Sequence, residues 1–299
     1  MRLARTGDSV TVNCPGKVNL FLETHGLRPD GFHEIETVMQ AITLYDDLLL
    51  SPSMGRGIEF RCSDPRLPGG PENLAYRAAE LIDREIGLPK GVFIALEKQI
   101  PAGAGLGGGS SDAAGVLCGL NELFGLGLSR MELSGLAAEL GSDIAFFVYG
   151  GTAHCTGRGE KVAPVETDLT MHYVVYCPRS RVSTAEAYQN LSRLGLTSGE
   201  HSATFILDCF AQGDFAAVCE NVFNRLDEAA VSLAPEVGEA KRFLARVASQ
   251  AAFVSGSGAA VYVLLDSAGR AAEVAERMRA EGAVGVFLAQ TEALGANLT

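Results

Sequence analysis

Five glycines and two serines within nine residues carry the clearest chemical signal in this 299-residue chain. They lie in the run Pro101, Ala102, Gly103, Ala104, Gly105, Leu106, Gly107, Gly108, Gly109, Ser110 and Ser111, between a predicted strand and a predicted helix. Glycine lets the backbone take positive φ and come close to a ligand. Just before a helix, the free amide hydrogens and the helix dipole make an anion site. Ser110 and Ser111 add hydroxyls that can cap the helix or meet a phosphate or its Mg²⁺. The plain alternative is a flexible turn, and this density of glycine between a strand and a helix favours phosphate binding over it.

Two common phosphate loops do not fit. Gly103, Gly105 and Gly108 satisfy G-x-G-x-x-G, but a dinucleotide fold needs a second strand ending in an acid about 20 residues on, and that stretch reads as helix. A P-loop needs G-K-[ST], whereas Gly109 is followed by Ser110. A cation must then come from elsewhere in the chain or from a metal. Lys17 and Asn19 share one face of a predicted strand after the Pro15-Gly16 turn. A solvated surface lysine is the plainer reading of Lys17. Asp143 follows Gly141-Ser142 before an apolar stretch. It could accept or orient a hydroxyl proton during phosphoryl transfer, or cap a helix. Spacing alone does not bring these three segments together.

The elements that must position these residues are read from hydrophobic period. Strands are predicted at 10–13, 17–23, 34–43, 48–50, 58–61 and 92–96, with Asp46-Asp47 interrupting the third and fourth. Helices are predicted at 72–86, 111–124 and 131–140, and 144–149 fits helix or strand. The pattern changes near Pro164 to Asp168, which divides the chain into residues 1–165 and 166–299. The second part begins with a strand at 173–177 and continues through helices at 184–194, 203–211, 214–224 and 235–249. It ends with strands at 252–254 and 260–265, a helix at 267–281 and a strand at 284–289. That order is a split βαβ, ferredoxin-like layer, and the class is α+β in two lobes.

Thirty-six acids against 24 bases give a net charge of -12. With no basic stripe, this argues against nucleic-acid or anionic-membrane partners. The longest apolar stretch, 251–265, is broken by Ser255, Gly256, Ser257 and Gly258 and is too short for a bilayer. The N-terminus lacks the apolar core of a signal peptide. Seven scattered cysteines without a Cys-x-x-Cys pair favour reduced thiols in a cytoplasm over disulfides or a zinc site. A cytoplasmic enzyme or ligand-binding protein is expected, with no protein-held metal centre.

At these residues the sequence resembles the GHMP small-molecule kinases, whose phosphate loop has the form Pro-x-x-x-Gly-Leu-Gly-Ser/Gly-Ser-Ser. Pro15 to Leu20, Asp30 to Glu34, Thr37 to Gln40, Pro101 to Ala114, Gly141 to Asp143 with Phe146-Phe147, Gly150-Gly151, Gly157 to Glu160 and Val254 to Ala259 resemble further family segments in the same order. The resemblance implies a lobe like domain 2 of ribosomal protein S5 followed by a ferredoxin-like lobe. It implies that Pro101 to Ser111 hold the phosphates of ATP, the phosphoryl donor, with Mg²⁺ between their oxygens. Asp143 would act on an acceptor hydroxyl beside Lys17, and Asn19 would position the substrate.

Within the family, the Gly31-Phe32-His33-Glu34 element is similar to that of members whose acceptor is a small molecule carrying cytidine diphosphate, used in isoprenoid-precursor synthesis. On that resemblance Phe32 would stack on the base, His33 would hydrogen-bond to it and Tyr188 would be the opposite ring. Taken without the resemblance, Phe32 reads as a core aromatic and His33 as a satisfied turn histidine. Other expectations are a homoserine or mevalonate-pathway kinase of the same family, or a nucleotide-binding relative without chemistry. Three positions depart from the family pattern: Phe32 for Tyr, Asp112 for Asn, and Ala145 for Pro. Asp112 is expected to add a negative charge to the first helical turn, near the phosphates.

Overall fold

Along the second strand of the chain, Val10 and Val12 are buried while Thr11 and Asn13 are exposed, and from Cys14 to Thr24 every residue is buried. The alternation marks a sheet with one face in water; continuous burial marks the stretch covered on both faces. A computed structural model, describing residues 1–196 and 199–293, shows what does the covering.

The first half runs β1 (Arg2–Thr6), β2 (Ser9–Leu27), β3 (His33–Ser53), β4 (Ile58–Cys62), α1 (Leu74–Glu85), β5 (Gly91–Glu97), α2 (Gly108–Phe124), α3 (Arg130–Leu140), α4 (Ile144–Tyr149), β6 (Thr152–Gly157) and β7 (Lys161–Val165). The second half runs β8 (His172–Tyr176), α5 (Thr184–Arg193), α6 (Thr204–Gln212), α7 (Phe215–Glu220), β9 (Phe223–Asn224), α8 (Asp227–Leu233), α9 (Pro235–Ala248), β10 (Phe253–Val254), β11 (Val261–Leu265), α10 (Ala268–Ala280) and β12 (Val286–Gln290).

The larger sheet has the path β1-β2-β3-β5-β4, with β6 on β3, β7 on β6 and β9 on β2. Helices α1 to α4 close one face over a core that includes Val12, Leu48, Leu50, Val116, Leu120, Phe146 and Phe147. The smaller sheet has the antiparallel order β10-β11-β8-β12, the arrangement of a ferredoxin-like layer. Between the sheets lies a third cluster, in which Val18, Leu20 and Phe21 of β2 meet Tyr173, Val175 and Tyr262. The second lobe therefore covers the outer face of β2 from Cys14 onward. The mixed, two-sheet α+β class is as expected.

Several boundaries differ. Pro15-Gly16 is not a turn: β2 runs through it, and pairing with β3 shifts register there, from Pro15 opposite Tyr45 to Gly16 opposite Ile42. Asp46-Asp47 does not divide β3, because Asp46 is buried against partners described below. Helix α2 starts three residues early, at Gly108, with Gly107 in the left-handed region at its N-cap. The segment 144–149 is helix. The predicted helix 214–224 stops at Glu220, and Phe223–Asn224 joins the larger sheet instead. Strands β1, β6 and β7 and helix α8 had no counterpart in the sequence reading.

Candidate active site

The glycine loop between β5 and α2 presses against the turn after β10. A Cβ on Gly105 would lie 2.2 Å from the Ser255 carbonyl oxygen, so only glycine permits this approach. Ser255 Oγ donates to the Gly105 carbonyl at 2.9 Å, and the Ala260 N–H donates to Ala104 O at 2.9 Å. The loop is also tied to β2, since the Lys17 N–H donates to Leu106 O at 2.8 Å. Its N-cap glycine makes no side-chain capping bond, which leaves the first amides of a 17-residue helix to an anion. Ser111 Oγ is buried beneath them without a hydrogen-bond partner.

Lys17 is 4% exposed, not a solvated surface lysine. Its ammonium donates to Asn19 Oδ1 at 2.5 Å and lies 4.0 Å from Asp143 Oδ2. Burial lowers the Lys17 pKa below its ordinary value, against the upward pull of the Asp143 carboxylate. Asn19 Nδ2 donates to Thr37 Oγ1 at 2.9 Å, and Thr37 donates to Phe21 O at 2.6 Å, so the amide is fixed with its oxygen toward Lys17. Asp143 occupies the N-cap position of α4, yet its side chain makes no capping bond. The carboxylate is 38% exposed and lines the same cleft as Lys17. The capping reading of Asp143 is thereby set aside.

That cleft has a volume of about 950 Å³. It runs past Leu67, Pro68 and Asn73, along the glycine loop from Pro101 to Ser110, past Lys17, Asn19 and Asp143, to Phe32, His33 and Tyr188. Every residue singled out in the sequence except Ser111 lines it; Ser111 lies just behind the loop. Phe32 is 50% exposed and so is not a core aromatic. The rings of His33 and Tyr188 stack on each other, with centroids 5.0 Å apart and planes 28° apart. The two rings are in contact, so Tyr188 is not an opposite ring across a gap from His33. His33 Nε2 is buried and has no partner, unlike a satisfied turn histidine, and burial lowers its pKa.

Two groups stand outside the expected site residues. Arg158, in the tight turn after β6, lies over the Phe32 ring at 4.8 Å from its centroid. Lys98 Nζ, beneath the glycine loop, donates to Asp112 Oδ2 at 2.6 Å and to Asp46 Oδ2. Asp46 Oδ1 also accepts the N–H groups of Gln99 and Ile100 at 2.6 and 2.8 Å. Asp112 therefore does not present a free charge to a phosphate. It sits in the second turn of α2, 2% exposed, and burial together with the Asp46 carboxylate pushes it up to about 8 despite Lys98. No residue type or spacing near position 112 signals Lys98 as its partner.

The chain carries these features in a recognisable order. The family model described as GHMP kinases N terminal domain matches residues 73–151, and that described as GHMP kinases C terminal matches residues 206–284. A 4-diphosphocytidyl-2-C-methyl-D-erythritol kinase of Geobacillus thermodenitrificans (strain NG80-2) is 41% identical over 271 residues, 90% of this chain and 93% of that one. A crystal structure of 4-(cytidine 5'-diphospho)-2C-methyl-D-erythritol kinase superposes with a TM-score of 0.79 at 35% identity, covering 96% of this chain and 100% of that one. Homoserine kinase from Cytophaga hutchinsonii shares the fold, with a TM-score of 0.74 at 20% identity over 98% of each chain. Agreement in both lobes, and with one relative along nine-tenths of the length, is more than a shared architecture produces, and this chain belongs to the GHMP kinase family.

Proposed function

We propose that the protein transfers the γ-phosphoryl group of ATP to the 2-hydroxyl of 4-diphosphocytidyl-2-C-methyl-D-erythritol, a step toward isoprenoid precursors. The observation that carries the reading is the Lys17–Asp143 pair, midway along one cleft between a glycine loop and an aromatic end. The names of two relatives that are 41% and 35% identical support the choice of acceptor.

In this reading the loop amides at the start of α2 hold the triphosphate. Lys17 and Asn19 hold the acceptor hydroxyl beside Asp143. As the hydroxyl oxygen bonds to the γ-phosphorus, the bond from phosphorus to the β–γ bridging oxygen breaks and ADP leaves with that electron pair. The hydroxyl proton passes to Asp143 Oδ2. Most of the rate comes from alignment and from fixed positive groups rather than from covalent chemistry. The unpartnered Ser111 hydroxyl fits a phosphate oxygen or a metal-bound water. Among the described residues no group of three His, Cys, Asp or Glu side chains could hold a metal ion. Mg²⁺ would be carried on the triphosphate beside Ser111, where it would supply neutralising charge.

The cytidine end would use the free Nε2 of His33, with Phe32 and Tyr188 as stacking surfaces; stacking adds roughly 1–3 kcal/mol per base. Arg158, over Phe32, lines the same cleft as these groups. A division at residue 165/166 and a cytoplasmic location belong to the same proposal; seven free cysteines support the latter. Among the described residues no helix is long and apolar enough to cross a membrane. The test is ADP release with Mg²⁺-ATP and the cytidylyl substrate, beside mevalonate and homoserine. Release with the cytidylyl substrate alone supports the reading. Release only with a control keeps the kinase chemistry and overturns the base-binding roles of Phe32, His33 and Tyr188. Binding of ATP without any release overturns both.

A further inference from the structure

Opposite the glycine loop, the turn from Ser255 to Ala259 lays its backbone on the two buried polar side chains of β2. A Cβ on Gly256 would stand 3.0 Å from both Lys17 Nζ and Asn19 Oδ1. The height of this backbone therefore limits where the ammonium can sit. Within the turn Ser255 Oγ donates to the Gly105 carbonyl at 2.9 Å and Ser257 Oγ lies 2.9 Å from Thr184 Oγ1, whereas Gly256 between them has no side chain with which to fix its own carbonyl.

Asn224 holds it from the side of the second lobe. Its side-chain amide Nδ2 donates to the Val254 carbonyl at 2.9 Å and to the Gly256 carbonyl at 2.8 Å. Its Oδ1 accepts the Leu226 N–H at 3.0 Å, at the start of α8. Both amide hydrogens and the oxygen are thus engaged in a site where the residue is only 8% exposed. The backbone of β9 is itself fixed to β2: Asn224 is the register partner of Leu22, and the Arg225 N–H donates to Leu22 O at 2.8 Å. Asn224 consequently spans from the strand that carries Lys17 and Asn19 to the turn that lies over them.

We propose that Asn224 is a positioning residue for phosphoryl transfer, which holds the Val254 and Gly256 carbonyls so that the Gly256 backbone keeps Lys17 and Asn19 in place. The chemistry of the side chain is specific. Two donors from one planar nitrogen meet two carbonyls at once. A carboxylate of the same shape would turn oxygen toward both carbonyls, and a methyl group would leave both without a partner.

The role of Lys17 rests on the kinase reading, so two measurements separate the ideas. The first needs no turnover: Lys17 is buried, and its labelling by a small amine-reactive reagent is followed by mass spectrometry. In Asn224→Asp and Asn224→Ala, labelling of Lys17 is expected to rise at least fivefold, while exposed Lys161 keeps its wild-type rate. Unchanged labelling of Lys17 overturns the proposal, whether or not the protein proves to be a kinase. The second is kinetic: kcat is expected to fall at least tenfold with the KM for ATP within threefold, and the same change in a Lys17→Met background to cost less than twofold. An equal factor in both backgrounds would mean that Asn224 acts on the fold alone and overturns the proposal. Asn224→Asp keeps the shape of the residue, and a melting curve shows which variants are folded when they are assayed. Absence of ADP release by the wild type would refute the kinase reading and leave Asn224 to be decided by labelling.

Discussion

Replacing Gly256 with alanine should separate the stability of this protein from its chemistry. The added Cβ stands 3.0 Å from Lys17 Nζ and Asn19 Oδ1, whereas ordinary contact begins near 3.4 Å. Both neighbours are ends of side chains, so the crowding is relieved when they shift by a few tenths of an ångström. The remaining cost is that of a left-handed alanine at φ +54, about 1–2 kcal/mol. For a chain of this size that lowers the melting temperature by roughly 2–5 °C. On the roles proposed for Lys17 and Asn19 the reaction suffers more, because the atoms that yield are their ammonium and amide oxygen. A misplacement of about 1 Å can cost on the order of 100-fold in rate, so a shift of a few tenths is expected to cost about tenfold in kcat. ADP-release kinetics, a melting curve and calorimetric binding of a non-hydrolysable ATP analogue give the three readouts, the last expected within threefold of wild type. Gly269→Ala, in helix α10 where a Cβ meets nothing within 4 Å, is the control: it should leave kcat and analogue binding unchanged and can only raise the melting temperature, because alanine is the better helix former. A kcat within twofold of wild type would refute the claim that this backbone positions Lys17. A loss of more than about 10 °C would refute the claim that the side chains, rather than the backbone, absorb the contact.

Asp143→Ala should lower kcat by about 10²–10⁴-fold, the range for loss of a general base, with ATP affinity nearly unchanged; an equal loss in both would remove Asp143 from the transfer step. Arg158→Met should raise the KM for the cytidylyl substrate by about tenfold, the value of one charge-assisted hydrogen bond, and leave the KM for ATP unaltered; the reverse pattern would place Arg158 on the nucleotide. Asp112 is held up to about 8 by burial and by Asp46, so the folded state keeps a proton that the unfolded chain releases near its ordinary value of 3.8. The sign follows: this group's contribution to stability declines as pH rises from about 4 to about 8. Asp112→Asn should therefore flatten the fall in urea midpoint between pH 5.5 and 9, and an unchanged slope would contradict the assignment.

The close approach made by the glycine loop was legible because it rests on residue type within one short stretch: such an approach demands glycine wherever the fold places it. Its helix start was misread for the same kind of reason. A glycine N-cap such as Gly107 offers no side-chain signal, whereas Ser111 looks like a cap. Strand β1 was missed because its residues are mostly exposed and show no apolar alternation, and α8 because its seven residues begin without a side-chain cap. Lys17 and Asp143 were legible as types but not as neighbours, since only the folding of α4 into the core that the larger sheet shares brings them together. Asn224 left no trace at all: its partners lie 30 and 32 residues away, and the apolar period places it at the end of the predicted helix 214–224.

Asp46 shows most directly why local reading fails at a site. Two consecutive acids between apolar runs are, by propensity, a break in a strand, because an unpaired buried carboxylate is costly. The chain nevertheless runs straight through Asp46, since Lys98, 52 residues further on, and the N–H groups of Gln99 and Ile100 satisfy it. Those three partners belong to the segment that leads into the glycine loop. The acid that by local propensity would interrupt β3 is therefore what fastens the base of the glycine loop to the sheet. A local rule is broken there because a distant segment of the site has to be held, and the compensation becomes visible only once that segment is in place.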